Sequence, residues 1–136
     1  MTDYTLLPIG HVESPLTNLA DAPRQGDEGA PNAWLVIFPA YREALKDLTV
    51  GEDILLITWF DRALRDVLAV HPRSDPSRPV TGVFSTRSPD RPNPLGLHRV
   101  TILAIDNLRL HVNNLEALDG TPLIDIKPVL GDLSER

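Results

Sequence analysis

Arg87 and Arg91 stand four residues apart in the stretch Gly82 to Leu97, which reads Gly-Val-Phe-Ser-Thr-Arg-Ser-Pro-Asp-Arg-Pro-Asn-Pro-Leu-Gly-Leu. Guanidinium forks pair bidentately with carboxylate or phosphate, so the two arginines suit an anionic ligand. Pro89, Pro92 and Pro94 fix three φ angles and remove three backbone donors, which stiffens the loop and aims its side chains in advance. A stiff loop has less ordering entropy to lose on binding. Charge singles out the same region. The chain carries 13 Lys and Arg against 19 Asp and Glu, a net of −6. Between His71 and Arg99, however, five arginines meet two aspartates, a local +3 that leaves −9 on the remainder. Such a basic island either receives an anionic group or pairs with the protein's own surplus carboxylates.

A second constellation is Leu118-Asp119-Gly120-Thr121-Pro122-Leu123-Ile124-Asp125-Ile126-Lys127-Pro128. Asp-Gly-Thr-Pro is a turn in its own right, with Asp capping locally and Gly accepting positive φ. Asp125 and Lys127 alternate with Ile124 and Ile126, which puts the charged pair on the face opposite the isoleucines, either solvent or a barrel lumen. Other chemistries find no support. Neither G-x-x-x-x-G-K-[ST] nor a strand-linked G-x-G-x-x-G occurs, which argues against a Walker or Rossmann site. His11, His71, His98 and His111 are widely spaced and lack H-x-H or H-E-x-x-H neighbours, so no metal is expected; His98 stands out because it directly follows the Arg-Pro loop. Ser85 and Ser88 lack a nucleophile elbow.

These side chains need a scaffold to position them. At 136 residues the chain reads as one domain, residues 1–136, with a polar tail from about 131. It has no cysteine, which excludes disulfides and thiolate metal sites and makes a cytoplasmic setting the default. The N-terminus has no basic, apolar leader, and no apolar run reaches the roughly 18 residues of a membrane span. Thirteen prolines favour many turns and few long helices. Strands are expected over Leu6 to Val12, Ala33 to Phe38, Asp53 to Phe60, Val100 to Ile105, Leu108 to Val112 and Leu123 to Pro128, with Asp106-Asn107 as a hairpin turn. Thr17 to Asn32 reads as a long loop. Tyr41, Ala44, Leu45 and Leu48 follow Pro39 at the spacing of one short helix, and Leu64 to Val70 fits either a strand or a helical turn. The fold class is therefore mainly β, a small antiparallel or mixed β-barrel with one or two short helices.

Together Ile9 to Pro15, Pro23-Arg24-Gln25, Gly82 to Leu97 and Leu118 to Pro128, in this order and spacing, resemble the TrmO/TsaA-like (YaeB-like) family over about residues 5 to 130. The resemblance implies a TsaA-like barrel methyltransferase that uses S-adenosylmethionine, works as a cytoplasmic homodimer, and methylates the exocyclic nitrogen (N6) of threonylcarbamoyl-adenosine beside the tRNA anticodon. Carried over by position, it implies cofactor contacts at Gln25, Arg87, Ser88, Arg91, Asn93, Leu118 and Thr121, with Asp119 favoured over His98 as a general base. His98 stands where the family usually has a small polar residue, which implies a different acceptor pocket. Arg73 and Arg78, in a Pro-rich loop before the motif, are the candidate tRNA contacts. The net acidity leaves open a small-molecule acceptor, or a module that binds S-adenosylmethionine without catalysis.

Overall fold

The computed structural model describes residues 3–18 and 29–131. Six strands close a barrel in the order β1-β2-β7-β6-β3-β8, every neighbouring pair antiparallel. They are β1 (Gly10–Glu13), β2 (Ala33–Ile37), β3 (Asp53–Trp59), β6 (Leu95–Asp106), β7 (Arg109–Val112) and β8 (Pro122–Pro128). Two short strands, β4 (Ala69–Val70) and β5 (Thr81–Gly82), pair outside the barrel. Period-two alternation fills the lumen: Ile54 and Leu56 of β3, Val100 and Ile102 of β6, Leu35 of β2 and Leu110 of β7 point inward and are buried. Closure leaves no free barrel edge for another chain to extend.

The mainly β expectation holds, with local differences. The first strand begins at Gly10, because Leu6 and Leu7 lie exposed ahead of Pro8. β6 starts at Leu95, inside the Arg-Pro motif, where Val100 was expected. The hairpin turn falls one residue later, at Asn107-Leu108, with Asn107 at φ +55° and Asp106 opposite Arg109. Pro39–Leu45 is a 3-10 helix whose Tyr41 and Leu45, with Leu48 beyond, pack on the core. Of Leu64 to Val70 only the last two residues are strand. A register shift after Ile57 of β3 takes Ile124 out of the ladder, so Leu123 and Ile126 join the core. Asp125 and Lys127 then share the outer face with Ile57 and Leu55, and their side chains pair at 3.7 Å.

On the β3–β6 wall Asp53 is clamped from the facing strand. Its Oδ1 accepts the Thr101 hydroxyl at 2.6 Å and its Oδ2 accepts Nη2 of Arg99 at 3.1 Å. The Thr101 bond first, and Arg99 next, hold the Asp53 carboxyl below its usual value. A carboxylate depressed by folding adds stability that is present above its unfolded pKa of about 3.9 and is lost as pH falls through the lower folded value. The midpoint gap between wild type and Asp53→Asn is therefore expected to be constant from pH 7 to 5 and to close in stronger acid. Melts showing the same gap at pH 7 and at pH 2 would contradict the clamp.

Candidate functional site

The antiparallel order sends β1, β3 and β7 out of, and β2, β6 and β8 into, the same mouth of the barrel. All described motif segments therefore meet there. The turn at 118–121 is stitched to the exit of β1: the Asp119 and Gly120 amides donate to the Leu16 and Val12 carbonyls, both at 2.7 Å, and Asp119 Oδ1 accepts the Ser14 amide at 3.0 Å. Leu118 is nearly buried, and its carbonyl accepts both the amide and the hydroxyl of Thr121. Thr121 thus shapes the turn, while Asp119, exposed at the tip where Gly120 takes φ +83°, keeps its second carboxylate oxygen for other work.

The Arg-Pro loop is braced from within and from the segment after β3. Arg91 Nη1 donates to the Thr86 carbonyl at 2.9 Å and to the Ser88 carbonyl at 3.2 Å, and the Arg91 amide donates to the Leu64 carbonyl. Asp90 accepts the Leu64 amide, and Thr86 Oγ1 accepts the Ser88 amide. Arg65 lies 5.1 Å over the Trp59 ring, donating from Nε to the Pro92 carbonyl at 2.7 Å and from Nη2 to Asn93 Oδ1 at 3.0 Å. Arg87 is exposed and, among the described residues, has no hydrogen bond or ion pair. One arginine of the pair therefore builds the loop and the other is presented by it. Sequence reasoning missed Arg65, since nothing at residue 65 betrays a partner 27 positions away.

The rest of the basic island is partly self-neutralised. Arg78 pairs with Asp75 at 3.6 Å and Arg99 with Asp53. Arg73 and Arg78 both lie in the excursion between β4 and β5. Gln25 falls outside the described residues. His98 is not at the surface: it points into the lumen, 2% exposed, with Nε2 2.7 Å from Thr58 Oγ1, Nδ1 2.6 Å from Glu116 Oε1, and its ring edge-on to Phe60. Gly96 explains the close packing beside it. A Cβ there would come 2.4 Å from Thr58 Oγ1 and 2.6 Å from the Phe60 ring, so the glycine is required by approach and not by its φ. A cavity of about 360 Å³, lined by Ile9, Tyr41, Leu45, Glu52 and Ile126 among others, lies under the 3-10 helix at the opposite mouth, away from these loops.

A closed antiparallel barrel carrying a braced arginine loop and an Asp-Gly-Thr-Pro turn at one mouth defines a small-barrel protein with its loops gathered at that mouth. The model of the tRNA-methyltransferase O N-terminal domain matches residues 11–134, and the chain belongs to that family. Relatives include an S-adenosyl-L-methionine-binding protein of Archaeoglobus fulgidus, 45% identical over 90% of this chain and 86% of its own. A probable S-adenosyl-L-methionine-binding protein of Methanothermobacter thermautotrophicus is 44% identical, covering 96% and 93%. A second, longer A. fulgidus protein is 43% identical, and there the match covers 88% of this chain but only 32% of the relative. The crystal structure of TrmO from Pseudomonas aeruginosa superposes with a TM-score of 0.75 at 32% identity, over 95% of this chain and 57% of that one. This chain thus spans about three-fifths of the solved TrmO structures.

Proposed function

We propose that the chain binds S-adenosylmethionine at the loop-bearing mouth and transfers its methyl group to a nitrogen acceptor. The observation that carries this reading is Arg87, exposed and without a partner among the described residues, on a loop that Arg91, Asp90 and Arg65 brace, facing outward from a family barrel. The site fits the cofactor chemically. Arg87 suits the amino-acid carboxylate, the free amide nitrogen of Asn93 and loop backbone groups suit adenine, and the second oxygen of Asp119 suits either the sulfonium or a departing proton. Bound S-adenosylmethionine supplies an activated methyl carbon; methyl transfer is an in-line displacement, so the protein's work is alignment. Asp119 would accept the proton that the acceptor nitrogen sheds as its new bond to the methyl carbon replaces the carbon–sulfur bond, with S-adenosylhomocysteine as the leaving product.

For the acceptor, the family points to N6 of threonylcarbamoyl-adenosine in the tRNA anticodon loop, with Arg73 and Arg78 as phosphate contacts. A specific observation supports a small acceptor instead: Arg78 and Arg99 are paired with carboxylates of this chain, and the net charge is −6. We place the partner subunit on the outer β3–β6 wall, where Leu95 and Leu97 lie exposed opposite Trp59 and Ile57. Phe84 of the Arg-Pro loop is 83% exposed, a further apolar side chain that a second copy would cover. The single-domain, cytoplasmic methyltransferase is the reading as a whole; no helix among the described residues is long and apolar enough to cross a membrane.

The test is calorimetric titration of the purified protein with S-adenosylmethionine, followed by incubation with unmodified and threonylcarbamoylated tRNA and mass spectrometry of the nucleosides. Binding is expected to stabilise the fold by about 2.7 kcal/mol at a hundredfold excess over Kd. Sedimentation is expected at twice the 15.0 kDa chain mass. No heat and no midpoint shift would reject the cofactor. Binding without formation of S-adenosylhomocysteine from any acceptor would leave a binding module.

A further inference from the structure

Among the described residues, the lumen contains one polar chain that loop chemistry does not account for. Thr58 on β3 and His98 on β6 are both buried side chains in an otherwise aliphatic core, and Glu116, largely buried between Leu115 and Ala117, reaches in from the segment before the 118–121 turn. Burying an imidazole is costly unless both nitrogens are partnered, and here both are. A carboxylate only accepts, so Nδ1–H donates to Glu116 Oε1. In the neutral ring Nε2 then accepts the Thr58 hydroxyl, which gives each of the three groups a partner. The chain runs from β3, through the residue that ends the Arg-Pro motif, to the loop carrying Leu118, Asp119 and Thr121. Gly96, two residues before His98, is kept free of a Cβ by the same Thr58 hydroxyl.

We propose that Glu116, oriented by His98 and Thr58, is a positioning residue that sets the 113–121 loop relative to the Arg-Pro loop, so that the two halves of the S-adenosylmethionine site keep one placement. This rests on the cofactor reading given above. Glu116 and His98 act through the turn and need no contact with the reacting atoms. Such a role uses hydrogen-bond direction, whereas core filling would use only shape. Thr58 separates the two, since valine keeps its shape without the hydroxyl and serine keeps the hydroxyl without the methyl.

The test combines the ¹⁵N imidazole spectrum of the wild type with S-adenosylmethionine titrations of Thr58→Val, Thr58→Ser and Glu116→Leu, leucine filling similar space with no acceptor for Nδ1–H. His98 is expected in the neutral Nδ1–H form. Thr58→Val and Glu116→Leu are each expected to weaken cofactor binding about tenfold, the scale of one buried hydrogen bond. Thr58→Ser is expected to bind within about twofold of wild type, a rescue that a purely packing role would not give, because serine fills less of the core than valine. The double variant Thr58→Val/Glu116→Leu is expected to lose no more than either single change, since both break one chain. Wild-type binding retained in Thr58→Val and Glu116→Leu, or a loss in Thr58→Ser as large as in Thr58→Val, overturns the positioning role while the cofactor reading stands. A wild type that binds no cofactor overturns both. If the variants do not fold, an Nε2–H tautomer for His98 in the wild type is sufficient to reject the proposal.

Discussion

Gly10→Ala is expected to lower the thermal midpoint by about 10 °C or more, corresponding to a loss of roughly 3 kcal/mol or more. Gly10 opens β1 and faces Ile37 of β2. A Cβ there would sit 2.0 Å from the Val36 carbonyl oxygen and 3.0 Å from its carbon, both backbone atoms of the neighbouring strand. A side chain could swing away, but a strand can relieve the clash only by leaving the ladder. The flanking bonds from Ile9 to Leu123 and from Phe38 to Ile9 would be disturbed with it. The control is Gly82→Ala, where the added Cβ meets nothing within 4 Å and φ is not positive. That change is expected to be neutral or slightly stabilising, because it restricts the unfolded chain. Equal midpoints for the two variants would show that the β1–β2 approach is not as close as described.

Gly10 also shows where sequence reading stopped. It stands in the Ile9 to Pro15 segment that resembles the family, yet nothing along the chain says that its hydrogen faces a carbonyl 26 positions away. What pattern conveys is local: the apolar runs at Ala33 and Asp53 became β2 and β3, and positive φ at Gly120 follows from Asp-Gly-Thr-Pro. Boundaries slipped where a neighbour overrode the pattern. Leu95 and Leu97 look like the end of a loop, but pairing with Trp59 and Ile57 makes them strand. Ile124 and Ile126 look like one face until the bulge divides them. Of the site, the two long motifs were within reach, because stiff loops and turns announce themselves through Pro and Gly, whereas their shared mouth came from the strand order. The division of labour inside the site was not. Arg87 and Arg91 read alike in sequence, and only the carbonyls of Thr86 and Ser88 tell them apart. Glu116, two residues before Leu118, carried no signal because its partner lies across the lumen.

That division predicts opposite ligand dependence for the two arginines. Arg87→Ala is expected to weaken S-adenosylmethionine about 10- to 100-fold, the range for losing a hydrogen bond to a charged partner, with no change in the thermal midpoint of the free protein, since Arg87 makes no bond there among the described residues. Arg87→Lys is expected to recover only part of the affinity, because an ammonium cannot form the bidentate fork. Arg91→Ala removes two partly buried donors from the loop carbonyls and is expected to destabilise the free protein by about 1–3 kcal/mol. It also weakens binding, because a loosened loop must be reordered by the ligand. Methylthioadenosine, which keeps the nucleoside and sulfur but lacks the carboxylate, separates the two roles. Arg87→Ala should bind it as the wild type does, while Arg91→Ala should bind both ligands weakly. If Arg87→Ala weakens methylthioadenosine as much as the full cofactor, Arg87 does not hold the carboxylate. If Arg91→Ala leaves the midpoint and both affinities unchanged, the loop does not depend on its internal arginine, and the rigidity supplied by Pro89, Pro92 and Pro94 is sufficient by itself.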